Sequence, residues 1–249
     1  MASGKLPRGK LYGIGVGPGD PGLISIKARR ILRAVDIIFT PCASGDGLSY
    51  ARSIIEGIIG SSPKVVRLVF PMTRDKVRLR QGWRRAGQRI FRELNKGLSA
   101  AFVTIGDPFI YSTYIYLFDA LQKDFPAVCV ETVPGISSFN AAAARANVSL
   151  ARGEERLAIL PLPDNIEDLD GILSAFDTVV LMKLGAGIDR VINYLRRRRL
   201  LRNAILVSRV GRPDEHILRN LSFLKNKKAG YLSVIIIKSL KRNEAAKTR

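Results

Sequence analysis

Thr104-Ile105-Gly106-Asp107-Pro108-Phe109-Ile110-Tyr111-Ser112-Thr113 places a glycine, a carboxylate and a proline directly behind the apolar run Ala100–Ile105. Glycine lets backbone approach a ligand closely, proline stiffens the loop by fixing φ, and the aspartate brings a charge to the same place. The tips of strands in open α/β sheets are where small ligands bind. Two companion loops have the same character: Gly13-Ile14-Gly15-Val16-Gly17-Pro18-Gly19-Asp20 and Pro134-Gly135-Ile136-Ser137-Ser138. A Gly-Asp-Pro alone is common; three such loops predict a small-molecule site built on strand ends.

The usual nucleotide motifs fail on inspection. In a G-x-G-x-x-G counted from Gly13 the sixth position is Pro18, and the next apolar run ends Phe39-Thr40-Pro41 without the acid that receives a ribose. No G-x-x-x-x-G-K-[ST] occurs, so a P-loop is excluded. What remains is a close-approach loop, or equally a tight strand–helix turn with Asp20 near the next helix start. One histidine and two cysteines, Cys42 and Cys129, lack the spacing of a His/Cys metal centre. His216, in Arg212-Pro-Asp-Glu-His-Ile, reads as a surface loop residue. No metal is expected.

The chain has 249 residues, 47% of them hydrophobic, and a net charge of +20. A charge this large speaks of partners, not of fold: nucleic acid on one reading, an acidic small molecule on the other. Between Lys64 and Arg92 stand ten Lys or Arg and one acid, Asp75. A second cluster joins Arg190 to Arg196–Arg199 and Arg202, and a third is the tail from Lys238. No apolar stretch reaches the roughly 18 residues of a membrane helix. Met1–Lys10 is short, polar and basic, which predicts no leader, and the cysteine usage predicts a reduced, cytoplasmic protein.

β-Branched runs alternate with helical patterns, which predicts α/β architecture with mostly parallel sheets. Strands are expected at Lys10–Val16, Ile37–Thr40, Val65–Val69, Ala100–Ile105, Val128–Thr132, Leu157–Leu160, Thr178–Met182, Ala204–Ser208 and Tyr231–Ile237. Helices are expected at Leu23–Val35, Leu48–Ile59, Asp75–Asn95, Ser112–Lys123, Ile136–Ala146, Ile166–Ala175 and Ile188–Arg199. The stretch Gln122–Pro126 is the candidate boundary, giving domains 1–122 and 123–240 with a basic tail, 241–249. In the helix Asp75–Asn95, Trp83, Gly87, Ile90, Phe91 and Leu94 form an apolar stripe. Arg78, Arg85, Arg89 and Arg92 fall on another face, which reads as a solvated surface or as a wall gripping carboxylates.

Five blocks together resemble the tetrapyrrole methylase family, in its order and at its spacing over about residues 10–237. They are Gly-Val-Gly-Pro-Gly-Asp-Pro-Gly-Leu-Ile-Ser-Ile-Lys-Ala (15–28), Gly-Asp-Pro-Phe-Ile-Tyr-Ser-Thr (106–113), Pro-Gly-Ile-Ser-Ser-Phe (134–139), Val-Leu-Met-Lys-Leu-Gly (180–185) and Tyr-Leu-Ser-Val-Ile-Ile (231–236). The first two are most similar to the C20-methyltransferases of cobalamin synthesis, which act on precorrin-2 or cobalt-factor II. The resemblance implies two α/β domains with a cleft between them, usually a homodimer, and S-adenosylmethionine as cofactor. It implies cofactor contacts from Pro18, Ile105, Gly106, Asp107, Ile110, Ser137, Ser138, Met182 and Val210. Taken singly, Met182 reads as core, and Ser137 and Ser138 as caps of the next helix. The family often has a small pair such as Thr-Ala at Ser137-Ser138, and Gly or Ala at Val210.

Methyl transfer from a sulfonium is an in-line displacement, so the protein must align the reacting atoms and exclude water. A proton must then leave C20, and Asp107 and Tyr111 are the candidate bases. The substrate class carries eight carboxylates, which suits Arg74, Arg78, Arg84 and Arg85 as contacts. The family fold also includes RNA 2′-O-methyltransferases, which the charge favours. Against RNA stand Gly-Pro-Gly-Asp where those relatives tend to have Pro-Ile-Gly-Asn, and thin aromatic–basic interleaving.

Overall fold

Residues 9–43, 49–71, 73, 75–223, 230 and 232–239 are described by a computed structural model. It divides into two compact units, Met1–Ser137 and Ser138–Arg249.

In the first unit, β1 (Lys10–Gly15) is buried at every position after Lys10, as a strand covered on both faces must be. The chain alternates strand and helix from there: α1 (Ile26–Ala34), β2 (Ile37–Cys42), α2 (Tyr50–Ile55), β3 (Lys64–Val69), α3 (Lys76–Leu94), β4 (Ala100–Thr104), α4 (Thr113–Asp124) and β5 (Cys129–Val133). The sheet is all parallel, in the order β3-β2-β4-β1-β5. Strand periodicity sorts its core into two layers. Tyr12, Ile14, Ile38, Ala101 and Val103 pack toward α1 and α2, while Leu11, Phe39 and Phe102 pack toward α3 and α4. Burying one such Leu or Ile side chain is worth about 1.5–3 kcal/mol.

Helix starts follow local chemistry. Ser25 Oγ accepts from Ala28 N–H at 3.2 Å ahead of α1, so α1 begins later than the expected Leu23. Asp20 instead caps a separate short turn, Pro21–Leu23, accepting from Gly22 N–H at 2.7 Å. Asp75 Oδ1 accepts from Val77 and Arg78 N–H, and starts α3 where the sequence predicts.

In the second unit α5 (Ser138–Arg145) precedes β6 (Leu157–Pro161), α6 (Leu169–Ala175), β7 (Thr178–Met182), α7 (Ile188–Arg197), β8 (Ala204–Ser208), β9 (His216–Leu218) and β10 (Ser233–Lys238). The sheet order is β6-β7-β10-β8-β9, with only β6 and β7 parallel. The last strand among the described residues, β10, sits in the middle of this sheet. Its core joins Val179, Leu181, Leu206, Ile235 and Ile237 to α6 and α7.

Two expectations change. The units divide at Ser137/Ser138, not at 122/123, because β5 pairs with β1 from Lys10↔Cys129 to Ile14↔Val133. Lys10 Nζ donates to Glu131 Oε2 at 2.6 Å across that pair. The polar stretch Gln122–Pro126 is therefore a connection inside the first unit. The three-residue β9 was not expected: His216 begins an edge strand, exposed as a loop residue would be. Tyr231 and the tail 241–249 lie outside the described residues. Among the described residues no helix is long and apolar enough to cross a membrane.

Candidate functional site

β1, β4 and β5 are neighbours in the sheet, so the loops that leave their C-terminal ends must crowd together. They do so without side chains. A Cβ at Gly15 would stand 2.5 Å from Gly106 O and 2.6 Å from Gly135 N. A Cβ at Gly135 would stand 2.3 Å from Gly106 O and 2.7 Å from Gly15 O. No real Cβ tolerates such distances to backbone, so Gly15, Gly106 and Gly135 form a contact open only to glycine on two of its three sides.

Hydrogen bonds lock the same place. Gly106 N–H donates to Gly17 O at 2.8 Å and Val16 N–H to Thr104 O at 2.9 Å. Gly17 and Gly106 hold φ of 76° and 68°, a region glycine enters at little cost. Asp107 ties the second loop to the third: Oδ1 accepts from Phe109 N–H at 2.9 Å and Oδ2 from Gly135 N–H at 3.1 Å. The loop ends are closed by Thr104 Oγ1 and Ser112 Oγ, 2.8 Å apart and buried, and Ser112 Oγ also accepts from Tyr114 N–H at 3.0 Å.

Gly13 belongs to a different story from the other glycines. A Cβ there would fall 2.2 Å from Cζ of Tyr114. The bare backbone admits that ring beneath β1, where its hydroxyl pairs with Thr132 Oγ1 at 2.7 Å. Burial pushes the Tyr114 phenol pKa up, and the bond to Thr132 works the other way. Gly13, Gly15 and Gly17 thus serve ring packing, backbone crowding and left-handed turning respectively. Their even spacing reflects no phosphate cradle.

Between these anchors the loop shows apolar surface. Phe109 is 48% exposed, Ile110 38%, Tyr111 41% and Ile136 38%. Phe109 rests edge-on against Tyr114 and Phe118, at 5.6 and 5.7 Å between centroids. Tyr111 holds φ at 52° although it carries a side chain. Non-glycine residues held there cost of order 1–3 kcal/mol and cluster at ligand sites.

Of the expected cofactor residues, Pro18, Ile105, Gly106, Asp107 and Ile110 gather at these tips, Pro18 and Gly106 buried and Ile110 exposed. Ser137, buried, ends the first unit, and Ser138 opens α5 of the second. Met182 and Val210 belong to the second unit. Met182 ends β7 half-buried, with its carbonyl accepting from Leu162 N–H at 3.0 Å. Val210 is buried just after β8. The residues beside them are Lys183 and Arg209, both at φ 53°. Desolvation lowers the Lys183 ammonium pKa, although much of the side chain is accessible. Arg209 pairs with Asp214, and its N–H donates to Leu232 O at 2.7 Å. Left-handed side-chain-bearing residues are a signal that sequence reading missed, since no residue type announces them.

The expected arginines do not converge. Arg78 Nε lies 3.5 Å from Asp75, the cap of its own helix. Arg84 Nε lies 3.7 Å from Asp124 at the end of α4. Arg85 turns to the opposite flank, toward β3. Arg74 lies outside the described residues. Among the described residues no three His, Cys, Asp or Glu side chains are placed to hold a metal ion.

The tips fit a small, partly apolar ligand held by backbone. Polar atoms are engaged in fixing the loops, glycines crowd their main chains together, and isoleucine and aromatic side chains stand exposed beside them. S-adenosylmethionine is compatible with such a site, because its adenine and methionine portions present both apolar and hydrogen-bonding edges.

Known proteins agree on the kind of molecule. A family model described as Tetrapyrrole (Corrin/Porphyrin) Methylases matches residues 10–223. A probable cobalt-precorrin-2 C(20)-methyltransferase of Methanocaldococcus jannaschii is 40% identical over 174 residues, covering 70% of this chain and 72% of that protein. A cobalt-precorrin-2 C(20)-methyltransferase of Salmonella typhimurium is 33% identical over 230 residues, covering 92% and 96%. Among solved structures, a uroporphyrin-III C-methyl transferase from Thermus thermophilus, complexed with S-adenosyl homocysteine, superposes with a TM-score of 0.62 at 17% identity. That superposition covers 94% of this chain and 99% of that one, and it speaks for the fold.

Proposed function

Because this chain belongs to the tetrapyrrole methylase family, we propose that it transfers a methyl group from S-adenosylmethionine to C20 of precorrin-2 in its cobalt-bearing form. The observation that carries this is the 33% identity to the Salmonella cobalt-precorrin-2 C(20)-methyltransferase across 92% of the chain. The setting is cobalamin biosynthesis, in the cytoplasm, by a homodimer. The cobalt belongs to the substrate.

The cofactor supplies an electrophilic methyl on a sulfonium. The chain's own work is positional. Main chain at Ile105, Gly106 and Ile110 would hold the cofactor, with Pro18 beneath and Ser137 beside the methionine portion. Gly15 and Gly135 keep that main chain close by excluding side chains. Ile110, Tyr111 and Ile136 cover the reacting carbon and keep water from it.

Asp107 and Tyr111 take different roles. Both carboxylate oxygens of Asp107 accept backbone N–H groups of its own loops, which makes it a positioning residue. To Tyr111, exposed on the loop at a φ of 52°, we assign the relay of the C20 proton: its hydroxyl oxygen takes that proton as its own passes to water. Arg78 and Arg84 would meet carboxylates of the substrate, whereas Arg85 faces the opposite flank of α3.

Single-turnover reactions with S-adenosylmethionine and either cobalt-precorrin-2 or metal-free precorrin-2, read by mass and absorbance, test the proposal. One methyl added to the cobalt form, faster than to the metal-free ring, is expected. Faster reaction of the metal-free ring reverses the substrate assignment. No heat of cofactor binding in calorimetry defeats the enzyme reading, and binding to RNA in its place moves the chain to the RNA-acting branch.

A further inference from the structure

β3 is the edge strand of the first sheet, and residues of β3 and α3 face each other across open space. Between them lies a groove of about 530 Å³. Its floor is apolar, made by Val66, Leu68 and Ala86. Its walls carry Arg85, Arg89 and Arg92 from α3, and Arg67 lines it from the strand. The helical spacing of 85, 89 and 92 puts three guanidinium groups on one side.

These charges are poorly balanced. Arg89 reaches Glu93 at 3.7 Å, and that carboxylate also receives Lys96 at 2.9 Å. Among the described residues Arg67, Arg85 and Arg92 form no ion pair. Arg85 and Arg92 bond only through Nε, to Gln81 O at 3.3 Å and Gln88 O at 3.4 Å. Those bonds set the angle of each guanidinium and leave its outer edge, the two-pronged side that matches a carboxylate, unengaged. The groove sits two strands from β4, a lateral distance of about 10 Å at the spacing of neighbouring strands. It is therefore separate from the Asp107 loop.

We propose that this groove is a ligand site of its own, taking a small polycarboxylate whose body is apolar. The arginines receive the carboxylates and the aliphatic floor receives the body. A wholly hydrophilic anion would leave the floor unused. The identification of that ligand with the acidic tetrapyrrole class rests on the methyl-transfer reading; the anion site does not.

The test titrates the full chain, without cofactor, with metal-free uroporphyrin, an octacarboxylate porphyrin followed by its own absorbance. A parallel titration uses inorganic pyrophosphate. Saturable porphyrin binding is expected, with Arg89→Gln/Arg92→Gln weakening it at least about tenfold, as loss of two charge-assisted contacts requires. Arg30→Gln/Arg33→Gln removes the same charge from α1, on the other face of the sheet, and should change the Kd less than about twofold, the size of a screened surface effect. Pyrophosphate should bind at least about tenfold more weakly than the porphyrin, lacking the contribution of an apolar body. Equal binding by the groove variant and the unaltered chain overturns the site, as do an equal loss in the control pair, pyrophosphate matching the porphyrin, or no porphyrin binding at all. Cofactor calorimetry on the same samples keeps the two proposals apart. Arginine-dependent porphyrin binding without S-adenosylmethionine binding loses the methyl-transfer reading alone, and the reverse result loses the groove alone.

Discussion

Around β1, β4 and β5 the chain turns at Gly17 and Gly106 and crowds together at Gly15, Gly106 and Gly135; after β7 and β8 it turns at Lys183 and Arg209, in the same left-handed region. In the first unit side chains are absent because backbone occupies their place. In the second, side chains are present and the backbone carries the steric cost. A glycine pattern in a sequence therefore marks crowding as much as it marks flexibility. A tight turn can also hide behind a lysine or an arginine.

The largest expected effect comes from filling the crowded contact. Gly135→Ala sets a methyl 2.3 Å from Gly106 O, with backbone on both sides and nothing able to rotate away. Cofactor affinity measured by calorimetry should fall on the order of 100-fold, about 2.8 kcal/mol, with a lowered Tm. Binding within twofold of the unaltered chain would break the link between glycine crowding and the ligand.

Gly13→Ala should be milder, because its neighbour is a side chain. We expect a loss of about 2 kcal/mol in urea unfolding, the scale of an overpacked core. In a double-mutant cycle, Tyr114→Leu should recover part of it, since the two sites touch. Strict additivity would show that the ring is not what excludes a side chain at position 13.

For the second unit the order of substituents inverts. Lys183→Gly should be more stable than Lys183→Ala by about 1 kcal/mol, because only alanine keeps the Cβ clash of the left-handed region. Alanine proving the better replacement would remove strain from the comparison.

The smallest effect concerns how β5 is held to β1. Bonds from Lys10 and Lys27 keep the Glu131 carboxyl below its ordinary pKa of 4.5. A carboxyl depressed in the folded state stabilises fully above that ordinary value, and the contribution disappears as pH falls through the lowered one. Glu131→Gln should therefore cost no more than about 1 kcal/mol at neutral pH, as for a partly exposed pair, and nothing in strong acid. Equal cost at both pH values would make the loss one of packing.

Much of this was readable from residue types. Alternating β-branched runs placed nine of the ten strands among the described residues, and Asp75 marked the start of α3. The dinucleotide fingerprint fails at Pro18, and each of Gly13, Gly15 and Gly17 has a packing or turning task of its own. What could not be read was which glycine meets which neighbour: Gly13 with Tyr114, and Gly15 with Gly135, are pairings of chain segments more than a hundred residues apart. The boundary was misplaced for a related reason. Gln122–Pro126 has the polarity of a linker, and only the pairing of β5 with β1 shows that the chain returns. β9 is too short to display any periodicity, and the arginines of α3 look like one cluster in the sequence although Arg84 and Arg85 face opposite flanks.

The meeting of Gly15, Gly106 and Gly135 also has a consequence for the order of events on the ribosome. Its three members leave the exit tunnel far apart in time, and the third arrives only after all five strands of its sheet. Contacts of such long sequence separation close late and slowly. A nascent chain stopped before Pro134 would hold all five strands of the sheet yet lack the third loop of this contact, so the contact closes only after the sheet's last strand has emerged.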